Sequence, residues 1–130
     1  MSIQINHIAV AAVDKTQSAT FLASLLDLPE PTGWGPFLSV RLPDGFQFDF
    51  AEPPMHGAPI QGQHYALLVD DAVFDRAIER LDAGGVTYWP DPQQSVEGEI
   101  NHNHGGRGVY FDDPAGHHFE LITAAYGSDL

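Results

Sequence analysis

Residues 111–123 read Phe111-Asp112-Asp113-Pro114-Ala115-Gly116-His117-His118-Phe119-Glu120-Leu121-Ile122-Thr123. A Pro–Gly turn between Asp112 and Gly116 separates two runs rich in Val, Tyr, Phe, Leu and Ile, which is the signature of a β-hairpin. On its second strand Phe119 and Leu121 share one face, and His118 and Glu120 share the other, because side chains alternate along a strand. An imidazole and a carboxylate on one face are either a solvated edge or half of a site. The hairpin alone leaves both readings open.

The same unit occurs earlier in the chain. Leu38-Ser39-Val40-Arg41-Leu42-Pro43-Asp44-Gly45-Phe46-Gln47-Phe48-Asp49-Phe50 is again strand, turn and strand, with Phe48-Asp49-Phe50 falling on Phe119-Glu120-Leu121. Upstream of each hairpin, Asn6-His7-Ile8-Ala9-Val10 matches Gln63-His64-Tyr65-Ala66-Leu67, and each is followed by an Asp and a helical pattern. The chain is therefore two copies of one module. Each copy carries a His on its first strand and a carboxylate on its last.

Composition narrows the classes. At 130 residues and 43% hydrophobic content the chain is expected to be one globular domain, 1–130. Its modules fall at about 1–52 and 63–124, joined by a linker at 53–62 rich in Pro and Gly. Cysteine is absent, which excludes disulfides, thiolate ligands and cysteine nucleophiles. The N-terminus has no basic region with an apolar core, and no apolar run nears 18 residues, so a cytoplasmic location is expected. The formal net charge is -13, and the only Lys and Arg residues are Lys15, Arg41, Arg76, Arg80 and Arg107. Such a field repels phosphates, so neither nucleic acid nor an anionic membrane is an expected partner.

The pattern along the chain gives β-α-β-β-β twice. Residues 3–13 read as a strand, Asp14 as an N-cap, and Ala19, Leu22, Leu25 and Leu26 as a helix stripe. Residues 28–36, broken by Pro29, Pro31, Gly33 and Pro36, allow a short, poor strand before the hairpin at 37–51. In the second copy residues 63–69 form the first strand and Asp70 or Asp71 caps a helix. Val73, Phe74, Ala77, Ile78 and Leu81 are its stripe, and Gly84-Gly85 ends it. A short strand at 86–89, a polar loop at 90–106 and the hairpin 107–123 follow, and the tail begins at Ala124. The class is α+β, with helices on one face of mixed sheets. The uncovered face then carries His7, Arg41, Asp49, His64, Tyr110, His118 and Glu120. Asn101, His102, Asn103 and His104 lie in the long loop, whose length marks it as functional or mobile. His56 has only its loop position to recommend it.

These segments resemble the vicinal oxygen chelate superfamily, which includes glyoxalase I, fosfomycin-resistance enzymes, extradiol dioxygenases and bleomycin-resistance proteins. The resemblance is sharpest at Asn6-His7-Ile8-Ala9-Val10, Gln63-His64-Tyr65-Ala66 and Tyr110 to Glu120, and it spans nearly the whole chain. It implies two paired β-α-β-β-β modules forming a cup around a divalent metal that binds neighbouring oxygens of a small substrate. Carried over by position, His7, His64 and Glu120 are the implied metal ligands. Asp49 stands where many members place a fourth ligand, but it is one methylene shorter than the Glu usual there. The resemblance also implies a homodimer.

Imidazoles and carboxylates without thiolate suit Mn, Fe, Ni, Co or Zn, one per site. With four protein ligands the expected chemistry is glyoxalase-like isomerase or lyase action, with Glu120 as general base. With three, a fosfomycin-type transferase or an extradiol-type dioxygenase fits. Tyr110, His118, Arg41 and Arg107 are the candidate substrate contacts, although two arginines are few for a phosphonate or a glutathione conjugate. A metal-free binding protein of the bleomycin-resistance type is the competing class. Against it, buried imidazoles and carboxylates are costly without a partner.

Overall fold

A computed structural model describes residues 1–52 and 59–126. His56 and most of the expected linker fall on residues 53–58, outside the described residues, as do residues 127–130. The chain divides into two compact units, Met1–Gln61 and Gly62–Leu130.

The first unit runs β1 (His7–Ala11), α1 (Lys15–Leu25), β2 (Thr32–Trp34), β3 (Phe37–Arg41) and β4 (Gln47–Ala51). Its four strands lie in the order β1-β4-β3-β2, with β1 parallel to β4 and the other pairs antiparallel. Asp14 caps α1 by accepting from the Gln17 amide at 3.1 Å, an arrangement worth about 1 kcal/mol. The helix packs on β3 and β4, burying Ala19, Leu22 and Leu25 with Val10, Val40, Phe48 and Phe50. The expected stripe and the expected strand face thus meet. The first strand is shorter than the expected 3–13. Ile3 and Ile5 are 83% and 71% exposed, and pairing begins at His7 opposite Gln47.

The second unit repeats the order: β5 (His64–Leu68), α2 (Asp71–Ala83), β6 (Tyr88–Trp89), β7 (Gly108–Asp112) and β8 (His118–Ile122), with strands ordered β5-β8-β7-β6. Asp70 caps α2 by accepting from the Val73 amide at 2.8 Å. Phe74, Ala77 and Leu81 are buried, as are Val109, Phe111, Phe119 and Leu121 of the sheet. Burying each aromatic of this set stabilises the fold by roughly 1.5–3 kcal/mol. The two hairpin turns place Gly45 and Gly116 at φ 96° and 89°, where a side chain would be strained.

The fold class is α+β, with two four-stranded mixed sheets and two helices. The loop 90–106 is tied down along its length. Asn101 forms a bridge with Gly108 and donates from Nδ2 to the Pro90 carbonyl at 2.8 Å; Asn103–Gly105 makes one 3-10 turn. Among the described residues no helix is long and apolar enough to cross a membrane.

Candidate metal centre

The register of each sheet decides which side chains share its uncovered face. In the second unit β5 and β8 pair His64 with His118 and Ala66 with Glu120, while β7 places Tyr110 opposite Glu120. His64 Nε2 stands 3.1 Å from Glu120 Oε1, and the His64 ring lies nearly parallel to Tyr110, 19° apart with centroids at 6.1 Å. Glu120 is buried, while the His64 side chain is half exposed. Burial first, then the hydrogen bond and repulsion from the Glu120 carboxylate, push the Tyr110 hydroxyl well above its ordinary pKa, so it stays protonated and donates.

The pair fits a divalent ion by its donor chemistry. Two ligands each about 2.1 Å from a metal, at right angles, stand about 3 Å apart, and the imidazole nitrogen and carboxylate oxygen already have that separation. Among the described residues no three His, Cys, Asp or Glu gather as a ready-made metal cluster. Two of the expected ligands therefore meet within one unit, and the others belong to the first.

There, His7 is exposed and its Nδ1 lies 2.7 Å from the Asn6 side-chain oxygen. An amide oxygen accepts, so with Nδ1 as the donor the Nε2 lone pair is left for a metal. Asp49 is 1% exposed and accepts a 2.6 Å hydrogen bond from Ser39 Oγ, its cross-strand partner. One of its two carboxylate oxygens is thus engaged from within its own sheet.

The candidate substrate contacts separate. Tyr110 stands at Glu120. Arg41 is exposed on β3. His118 is exposed and paired at 2.7 Å with Asp112, its cross-strand neighbour. The Arg107 guanidinium is engaged by α2, with Nη1 at 2.7 Å from Asp75 and Nη2 at 2.8 Å from Asp71, and it covers the Phe74 ring at 4.5 Å. Its charge is largely compensated by two carboxylates.

Two groupings escape a reading of the sequence. Tyr126, in the tail, donates from its hydroxyl to Glu120, and its ring stacks on His104. Asp113 and His117 are buried in the hairpin turn. Asp113 Oδ1 accepts from the His117 amide at 2.8 Å, and His117 Nδ1 accepts from the Gln63 amide at 3.1 Å. The only sequence signal for Tyr126 is an isolated aromatic after the last strand.

The paired units have a fold of a known kind. The chain belongs to the Glyoxalase/Bleomycin resistance protein/Dioxygenase superfamily, whose model matches residues 4–121. Among solved structures it is similar to oxidase ChaP-H2, with 48% identity, a TM-score of 0.91 and coverage of 98% of both chains. It is likewise similar to oxidase ChaP-H1, with 42% identity, a TM-score of 0.91 and coverage of 98% of this chain and 100% of that one. The glutathione transferase FosA of Serratia marcescens is 28% identical over 129 residues, which cover 97% of this chain and 84% of that protein.

Proposed function

We propose that this protein is a divalent-metal-dependent oxidase of a small molecule, with His7, His64 and Glu120 as its protein ligands. The observation that carries the reading is the fate of the fourth candidate: Asp49 is buried and already holds the Ser39 hydroxyl. A three-ligand set then remains, and the similarity to two oxidases at 42% and 48% identity favours the same side. A metal on two imidazoles and one carboxylate supplies open coordination positions, the arrangement of non-haem iron oxygenases. Glu120 acts here as a ligand rather than as the general base that isomerase or lyase chemistry would require.

The chain's own residues do the rest. The Asn6 side-chain oxygen beside Nδ1 supports a tautomer that leaves His7 Nε2 open to a metal. Tyr110 presents a protonated hydroxyl beside Glu120, suited to hold a substrate oxygen. Arg107 is committed to Asp71 and Asp75, so an anionic phosphonate would find little positive charge from it. That weakens the transferase reading suggested by FosA. His7 comes either from the same chain or from a second copy in a homodimer, and the protein is expected to be dimeric.

The test is metal content in protein purified without chelators, with His7→Ala, His64→Ala and Asp49→Ala beside the wild type. About one metal per chain is expected, by the implied single site per chain, lost in both His variants and kept in Asp49→Ala. Loss in Asp49→Ala would restore the four-ligand isomerase reading. Protein that takes up no Mn, Fe, Co, Ni or Zn would leave a binding protein. If the metal is present, oxygen uptake by the Fe(II)-loaded protein with candidate substrates follows.

A further inference from the structure

Tyr126 lies beyond β8 and touches both oxygens of Glu120, with its hydroxyl 3.0 Å from Oε1 and 3.1 Å from Oε2. Its ring stacks on the His104 imidazole with centroids 4.4 Å apart and planes 21° apart. His104 sits at φ 58°, a left-handed conformation that costs a non-glycine residue and persists only where neighbours impose it. The neighbours are visible: Asn103 N donates to Asn101 Oδ1 at 3.1 Å, and Asn101 is bridged to Gly108 at the start of β7. Between loop, tail and sheet is a cavity of about 190 Å³ lined by Asn101, Asn103, His104, Tyr110, Glu120 and Tyr126, among others.

We propose that Tyr126 is a positioning residue for Glu120 as metal ligand, and that His104 holds Tyr126 in place for that task. The inference rests on the metal reading above. A carboxylate offers about four lone-pair directions, and a single hydroxyl proton satisfies one of them at a time. Oε1 is turned toward His64 Nε2, where a metal would sit between the two. Tyr126 then keeps its bond to Oε2 and fixes the carboxylate plane. Without that bond Glu120 keeps only the Tyr110 hydroxyl as a tyrosine donor and can turn to orientations that do not face His64. His104 contributes through the ring alone, so its effect is contained within that of Tyr126.

The experiment uses the full chain and Co(II), a probe that does not oxidise readily and has a visible spectrum sensitive to its ligands. Affinity is read by competition with a chromophoric chelator. Tyr126→Phe, which keeps the ring and the stack, is expected to weaken Co(II) binding about ten-fold and to alter the visible absorption, in the range found for hydrogen-bond partners of metal ligands. Circular dichroism of the metal-free protein should be unchanged, and its thermal midpoint should fall by only a few degrees, because the Tyr110 hydroxyl still donates to Glu120. His104→Ala is expected to weaken binding about three-fold by loss of the stack, and the double variant should match Tyr126→Phe alone. Wild-type affinity and spectrum in Tyr126→Phe would overturn the role of Tyr126. Losses that multiply in the double variant would overturn the role of His104. A wild-type protein that takes up no Co(II) would overturn the metal reading and this inference together.

Discussion

Replacing Ser39 by Ala should destabilise the protein by about 2 kcal/mol, because it leaves Asp49 a buried carboxylate without its donor. Asp49 is 1% exposed and Ser39 6%, and their hydrogen bond is short at 2.6 Å. The strand on the other side offers no substitute: Asp49 pairs with Ala9 of β1, which brings only a methyl group. Hydrogen bonds to charged groups are worth about 1.5–3 kcal/mol, and an orphaned buried charge costs its desolvation besides. Removing one hydroxyl leaves little cavity, so the packing contribution is small. For a chain of this length about 2 kcal/mol corresponds to a fall of roughly 6–10 °C in thermal midpoint. The assay is urea and thermal unfolding of the metal-free protein at neutral pH. The partner variant Asp49→Asn keeps an acceptor for Ser39 and drops the charge. Ser39→Ala placed on Asp49→Asn should therefore cost less than it does on the wild type, a coupling that a double-mutant cycle isolates. A loss below about 0.5 kcal/mol for Ser39→Ala, within the usual range for surface changes, would refute the reasoning. It would mean that Asp49 is not held by Ser39 and is available as a fourth ligand.

Two further changes test the second unit. Gly62→Ala should cost about 1–3 kcal/mol by overpacking, because its Cβ would stand 2.7 Å from the Gly116 carbonyl oxygen and 3.1 Å from His118 Nε2; an unchanged urea midpoint would contradict it. Asp113→Asn probes the buried turn, where burial pushes the Asp113 carboxyl up although hydrogen bonds from the His117 and Ala115 amides oppose it. A raised folded-state pKa means the acid's stabilising contribution is present at low pH and is lost as pH rises through that value. The side-chain amide oxygen introduced by Asp113→Asn can still accept from the Ala115 and His117 amides, now 3.0 and 2.8 Å from Asp113 Oδ1. The variant should therefore gain on the wild type as pH rises from about 4 to about 7, and parallel stability profiles would count against the buried acid.

The parts of the fold that sequence makes legible are those in which local period and tertiary packing agree. Phe48 and Phe50, like Phe119 and Leu121, alternate with carboxylates because side chains alternate along a strand; the Leu22 stripe of α1 packs on β3 and β4, and Leu81 of α2 is buried as well. Where local period continues beyond its partner it misleads. Ile3 and Ile5 prolong the alternation of β1, but β4 starts at Gln47 after the turn at Asp44 and Gly45, so no strand lies beside them. Tyr126 is illegible for the opposite reason. Its contact with Glu120 depends on the path of the tail across the sheet, which no pattern within residues 124–126 records.

The repeat shows where the carboxylates stand, and their cross-strand partners decide what they can do. Asp49 and Glu120 occupy equivalent places: each lies on the last strand of its sheet, opposite an alanine of the first strand, Ala9 or Ala66. Their other neighbours differ. Ser39 is short enough to bond the Asp49 carboxylate directly and close it within the sheet. Tyr110 occupies the matching place opposite Glu120, but its hydroxyl lies at the far end of a ring. Glu120 also has one more methylene than Asp49, and its oxygens meet groups that stand clear of the strands: His64, Tyr110 and Tyr126. Burial is therefore not what distinguishes the two, since both are nearly inaccessible. The distinction is whether the carboxylate is bonded by a short side chain of its own sheet or by longer side chains that reach beyond the strands. The two repeats thus give one position two different surroundings, separated by a methylene and by a serine in place of a tyrosine.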